Sequence, residues 1–163
     1  MWKGQRLEPG RALDLGCGAG RNTRYLIRHG WDAIGIDMLG RATDKARSQA
    51  VDAAAKARFL QGDVTRLADL DIGDGFSLIV DSGSYYGLSG DQRDSYAAGV
   101  TRVAAPGGPA AHGRLHEIPG IVAGISEEDL RRRFRSWDLQ TSAAVPADEL
   151  ARHTYPVPAE GGA

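Results

Sequence analysis

Three glycines at alternate positions, Gly16, Gly18 and Gly20, follow a short apolar run that ends in Asp14-Leu15 and precede an amphipathic segment. Such a turn lets the chain pass from a strand into a helix through backbone angles that other residues resist. It also brings main chain close to a ligand and points helix N–H groups at it. With an acid at Asp37, at the end of the next apolar run, the pattern describes a nucleotide-type pocket and restricts the chain to an α/β fold.

The remaining punctuation agrees. Arg11–Gly16 reads as a buried strand, and Arg21–His29 as a helix with Tyr25, Leu26 and Ile27 on its apolar face, ended by Gly30. Trp31–Asp37 is a second strand, and Gly40–Ala53, with Ala42, Ala46, Ala50 and Ala53 at helical spacing, a second helix. Arg58–Val64 and Phe76–Gly83 read as third and fourth strands ending in the acids Asp63 and Asp81. Ser89-Gly90-Asp91-Gln92 has the form of a capping box, opening a helix that buries Tyr96, Val100 and Val103 and stops at Pro106-Gly107-Gly108. By order, Pro109–Leu115 is a fifth strand, although its residues suit a strand poorly. Ser126–Asp129 opens a further helix with Leu130 and Phe134 one turn apart, Trp137–Thr141 alternates like a strand, and the tail from Pro146 to Ala163 is irregular.

Strands alternating with helices predict a doubly wound, mainly parallel sheet with helices on both faces, because right-handed crossovers place them there. Ligands then bind beyond the carboxyl ends of the strands, where Asp14–Gly20, Asp37, Asp63 and Asp81 all fall.

Composition narrows the ligand. The 163 residues form one domain with a single core, and the 20 basic and 21 acidic side chains are mixed along the chain, which gives no footprint for nucleic acid or an anionic membrane. The lone cysteine rules out an internal disulfide framework, and neither a signal-like start nor a spanning run is present. A soluble, cytoplasmic protein acting on a small molecule is expected.

The glycine turn, Asp37, Gly62-Asp63-Val64 and Pro106-Gly107-Gly108 together resemble the class I S-adenosylmethionine-dependent methyltransferases, over roughly residues 11 to 145. The resemblance implies a Rossmann-like fold, S-adenosyl-L-methionine as cofactor and S-adenosyl-L-homocysteine as product. It places Gly16, Cys17, Gly18 and Gly20 under the methionine moiety, with Asp14 supporting the turn. Asp37 takes the ribose hydroxyls, Met38 packs on the adenine, Asp63 accepts from its amino group, and the Val64 N–H reaches a ring nitrogen. Asp81, Ser82 and Gly83 wall the methionine end near the reacting methyl group.

Simpler readings stand beside these. Asp37 and Gly62-Asp63 also suit ordinary turns, and Cys17 suits packing. His29 suits the end of its helix dipole, and Arg131, Arg132, Arg133 and Arg135 suit a solvated face. His112 and His116 lack the further ligands a metal site needs, so no metal is expected. His112, His116, Glu117, Tyr85 and Tyr86 lie near the expected mouth, and none is assigned as catalytic base. Tyr85 and Tyr86 equally suit an acceptor-pocket floor or loop packing.

Relative to the resembled family, the N-terminal helix and the C-terminal hairpin look cut short, and a second copy completing the acceptor pocket is the corresponding expectation. Three functions follow: methyl transfer to a small molecule; cofactor binding without methylation, as a binding module or a cyclase-type catalyst; and nicotinamide-dependent oxidoreduction, which the glycine spacing and Gly62-Asp63-Val64 disfavour.

Overall fold

A computed structural model describes residues 7–50, 57–81, 83–106, 112–113 and 125–139. Five strands, β1 (Arg11–Leu15), β2 (Asp32–Asp37), β3 (Arg58–Gln61), β4 (Leu78–Asp81) and β5 (His112–Gly113), form one sheet in the order β3-β2-β1-β4-β5. Every pairing is parallel. The chain winds outward from β1 to β3, then returns to the other side of β1, so the strand order reverses between β1 and β4. A crevice opens at such a point beyond the strand tips.

Side-chain alternation sends the sheet's two faces to different partners. One face presents Leu13, Leu15, Ile34, Ile36 and Ile79 to α3 (Gly90–Val103) and to the 3-10 segment Val64–Asp69. Leu130 and Phe134, in and just after α4 (Glu127–Arg133), pack against the same core. The other face sets Ala12, Ala33 and Leu78 against Leu26 of α1 (Arg21–Arg28) and Trp31. Beside them Phe59 packs with Cys17, Ala46 and Ala50 around α2 (Gly40–Ser48). The doubly wound arrangement follows.

Local signals mark most boundaries. Ser89 caps α3, with Gln92 Oε1 accepting from the Ser89 N–H at 2.9 Å. Ser126 Oγ accepts from the Asp129 N–H at 3.0 Å and caps α4. Helix α1 has no such cap of its own, because Gly20 occupies the capping position at φ 75°. Its third N–H, from Thr23, is taken instead by Asp14 of β1 at 2.9 Å.

Several expectations need correction. In α1 the buried residues are Thr23 and Leu26, while Tyr25 is 60% exposed and stacks on His29. Helix α2 ends at Ser48, and Ala53 lies outside the described residues. Strand β3 stops at Gln61; Gly62-Asp63 form the turn that caps the 3-10 segment, so Val64 is no longer strand. Strand β4 begins at Leu78 rather than Phe76. Residues 137–139 are not a strand: Trp137 folds back, its N–H bonding Phe134 O at 2.9 Å and its indole donating to Thr101 Oγ1 at 2.9 Å. Packing of the half-buried indole against Phe134 and its bond to Thr101 of α3 outweigh the alternating pattern. Residues 140–163, including the tail from Pro146, and residues 1–6 lie outside the described residues. Among those described, no helix is long and apolar enough to cross a membrane.

Candidate cofactor and methyl-transfer site

The turn after β1 carries the geometry the glycines imply. Gly16, Gly18 and Gly20 all have positive φ, at 67°, 54° and 75°. The Gly20 N–H closes the turn on Cys17 O at 2.8 Å, and the Cys17 N–H bonds Ile36 O at 2.9 Å, tying the turn to β2. The surroundings of the glycines differ. A Cβ on Gly20 would lie 2.5 Å from Phe59, and one on Gly16 2.6 Å from Ser84 Oγ, whereas one on Gly18 would meet no atom within 4 Å. Gly18 therefore faces open space while its neighbours are packed against protein.

Asp37, at the tip of β2, closes over the turn. Its Oδ2 accepts the Gly18 N–H at 2.9 Å and its Oδ1 accepts the Leu39 N–H at 2.9 Å. A carboxylate oxygen accepts two hydrogen bonds, so each retains one acceptor position. Two hydroxyls on adjacent carbons match that remaining capacity. Next in the chain, Met38 and Leu39 are 60% and 51% exposed, unusual for large apolar side chains.

At the tip of β3 the Asp63 Oδ1 accepts from the Thr65 N–H at 2.8 Å and its hydroxyl at 2.7 Å, which leaves Oδ2 for a donor. The Gly62 N–H bonds Asp37 O at 3.0 Å and holds this tip against β2. The side chain of Val64 is buried in the core.

Beneath the turn, Asp14 is fully buried and its Oδ2 accepts both the N–H and the hydroxyl of Thr23, at 2.9 and 2.6 Å. Burial pushes its carboxyl up to about 6, with the Asp81 charge adding to the rise and the bonds from Thr23 and Asn22 opposing it. The Cys17 thiol is pushed up to about 12, by burial first and then by the charges of Asp14 and Asp37. Its side chain packs with Ala46, Ala50 and Phe59.

Asp81 is committed to its own chain. Oδ1 accepts the N–H groups of Gly83 and Ser84, both at 2.7 Å, and Oδ2 accepts the Tyr85 N–H at 3.1 Å and the Tyr96 hydroxyl at 2.6 Å. All four acceptor positions are filled, so what Asp81 offers the crevice is the loop it shapes. Ser82 lies outside the described residues.

Of the residues near the expected mouth, Tyr85 is buried with its hydroxyl donating to Asp129 at 2.9 Å. Burial and the Asp129 charge push it well above an ordinary phenol, which removes it as a base. Tyr86 is half-buried, His112 is described only through the backbone of β5, and His116 and Glu117 lie outside the described residues. A groove of about 380 Å³ between α3 and α4, lined by Asp94, Ala97, Arg132 and Arg133 among others, contains none of the strand-tip residues.

Sequence reasoning missed the support that reaches this loop from α4. Asp129 appeared only as a helix-opening acid, yet it bonds Tyr85, Arg132 and Arg133 and pairs with Arg93. No local spacing relates Asp129 to Tyr85, 44 positions away.

The strand order, the reversal beside β1, the positive-φ glycine turn and the acid at the tip of β2 define a Rossmann-like protein that binds a ribose-bearing cofactor. Residues 12–108 match the methyltransferase domain family, and the chain belongs to that family, the S-adenosylmethionine-dependent methyltransferases. An uncharacterised methyltransferase of Schizosaccharomyces pombe is 26% identical over 125 residues, covering 77% of each chain. One from Synechocystis is 36% identical over 112 residues, covering 68% of this chain and 50% of its own. The solved TehB-like SAM-dependent methyltransferase of Corynebacterium glutamicum superposes with a TM-score of 0.61 at 26% identity, covering 80% of this chain and 66% of that one. This chain thus spans half of the cyanobacterial relative and just under two thirds of the solved structure.

Proposed function

We propose that this protein transfers the methyl group of S-adenosylmethionine to a small-molecule acceptor. The observation that carries the reading is the Asp37–Gly18 closure, which leaves two acceptor positions on one carboxylate beside a glycine facing open space. A relative from Mycobacteroides abscessus, 29% identical over 99 residues, is a 2-heptyl-1-hydroxyquinolin-4(1H)-one methyltransferase, which supports a small aromatic or similar acceptor.

The residues present suit the cofactor. Asp37 takes the ribose hydroxyls, Met38 and Leu39 cover the adenine, and Asp63 Oδ2 and the Val64 N–H read its edge. The turn from Gly16 to Gly20 lies along the methionine portion, with Asp14 fixing that turn to α1. When bound, the cofactor supplies an electrophilic sulfonium methyl, so the protein's part is placement. Holding the acceptor in line contributes on the order of 7–11 kcal/mol. The loop after Asp81 is the protein surface nearest the transfer. A second copy closing the acceptor side belongs to the same proposal.

Incubation with methyl-labelled S-adenosylmethionine and a panel of hydroxylated, amine and thiol small molecules tests it. Label should appear in at least one acceptor. Cofactor bound by calorimetry with no acceptor labelled across the panel would instead indicate a binding protein.

A further inference from the structure

Helix α4 lies beyond the family-matched residues 12–108, yet a continuous chain of contacts runs from it to the glycine turn. Asp129 Oδ2 accepts the Tyr85 hydroxyl at 2.9 Å, and its Oδ1 accepts from Arg133 at 2.9 Å and Arg132 at 3.1 Å. Arg93 approaches Oδ2 at 3.4 Å, and its guanidinium lies 5.1 Å from the centre of the Tyr85 ring. Burial alone would raise the Asp129 carboxyl, but the bonds from Arg133, Tyr85 and Arg132 bring it down to about 2, so it stays an anion throughout the physiological range. Tyr85 in turn is fixed at its N–H by Asp81, and its ring packs edge-on to Tyr96 at 5.2 Å. The preceding residue, Ser84, fills the space beside Gly16 where a Cβ would fall.

From this chain we infer that Asp129 is a positioning residue for the methionine end of the cofactor: it holds Tyr85, and through it Ser84, against Gly16. The inference rests on the methyltransferase reading above and adds α4 to the machinery that sets the transfer geometry. The adenosyl half, by contrast, is held by the tips of β2 and β3, neither of which contacts Asp129.

That division gives the test. Calorimetry measures the affinity of the full chain for S-adenosylhomocysteine, which carries the amino-acid portion, and for 5′-methylthioadenosine, which lacks it. Tyr85→Phe removes only the hydroxyl and leaves the arginine pairs of Asp129 intact; Asp129→Asn is the second variant. Each should weaken S-adenosylhomocysteine at least fivefold and change methylthioadenosine by less than twofold, and the double variant should be no weaker than the worse single one. Unchanged S-adenosylhomocysteine affinity overturns the inference. Equal weakening of both ligands also overturns it, because that marks general loosening of the fold. A wild-type chain that binds neither ligand sinks the cofactor assignment itself, whereas wild-type binding with insensitive variants sinks the role of Asp129 alone.

Discussion

Asp37 Oδ2 accepts the backbone N–H of Gly18 across a 2.9 Å hydrogen bond, so the tip of the second strand holds the turn that follows the first. One carboxylate thereby shapes the pocket and retains acceptor positions for a ligand.

Asp37→Ala removes both functions. S-adenosylmethionine affinity should fall at least tenfold, about 1.4 kcal/mol or more, when measured by calorimetry. Asp37→Asn should fall in between, since an amide has one oxygen for the two N–H groups that the carboxylate now serves. Wild-type affinity in the alanine variant would refute the ribose contact.

The glycines of the turn should separate stability from binding. Gly18→Ala adds a Cβ at φ 54° into open space, a cost of about 1–2 kcal/mol for left-handed backbone. Gly20→Ala adds the same strain plus a clash at 2.5 Å with Phe59 and 3.0 Å with Ala46, for a total of roughly 3 kcal/mol. Urea unfolding should rank Gly20→Ala as the less stable. Calorimetry on the folded Gly18→Ala protein should show cofactor affinity lost out of proportion to its small stability cost, because the new methyl enters the ligand's space.

Asp14 makes stability fall as pH rises. Burial pushes its carboxyl from the ordinary 3.8 up to about 6 in the folded chain, so between these pH values the folded chain holds the extra proton. Rising pH removes that proton and leaves a buried anion, a change of about 3 kcal/mol for a shift of this size. Relative to Asp14→Asn, the wild type should lose about that much between pH 4 and 7 in urea unfolding series. Asp129, held down at about 2, acts in the opposite sense, and its contribution is lost only as pH falls below about 4. A flat difference between the two proteins would show that Asp14 titrates normally.

Cys17 should resist thiol reagents. It is 8% exposed and its thiol is pushed up to about 12, so little thiolate exists at pH 8. As the chain's one cysteine, it gives an unambiguous readout: native protein should react with a disulfide reagent at least a hundredfold more slowly than urea-unfolded protein. Saturation with cofactor should slow it further, since the ligand covers the turn.

Much of the fold was legible because it rests on local rules. The capping box at Ser89 and Gln92, the cap at Ser126 and the apolar runs of β1 and β2 each depend on residues within a few positions. Less legible were the edges of the sheet. Strand β5 contains two residues, paired at Val80 and Asp81, and takes its place from its neighbour rather than from its own propensity. Trp137 alternates with its neighbours as a strand would, yet follows α4 into packing with Phe134 at a ring separation of 5.9 Å.

For the candidate site, the glycine turn and the strand-end positions of Asp37 and Asp63 drew notice together, because a ribose-binding turn needs positive φ and a strand-end carboxylate in a fixed chain order, and the family resemblance supplied their expected roles. Sequence by itself determined the order of strands and helices and which strand tips carry acids. Only the tertiary structure decided what each acid does. Asp14, Asp37, Asp63 and Asp81 all end or nearly end strands, but Asp81 spends every lone pair on its own loop and on Tyr96, Asp14 is buried as a cap for α1, and Asp37 keeps acceptor capacity open. A carboxylate's role is set by which donors reach it, and donors 15 to 44 positions away are brought near only when the chain folds.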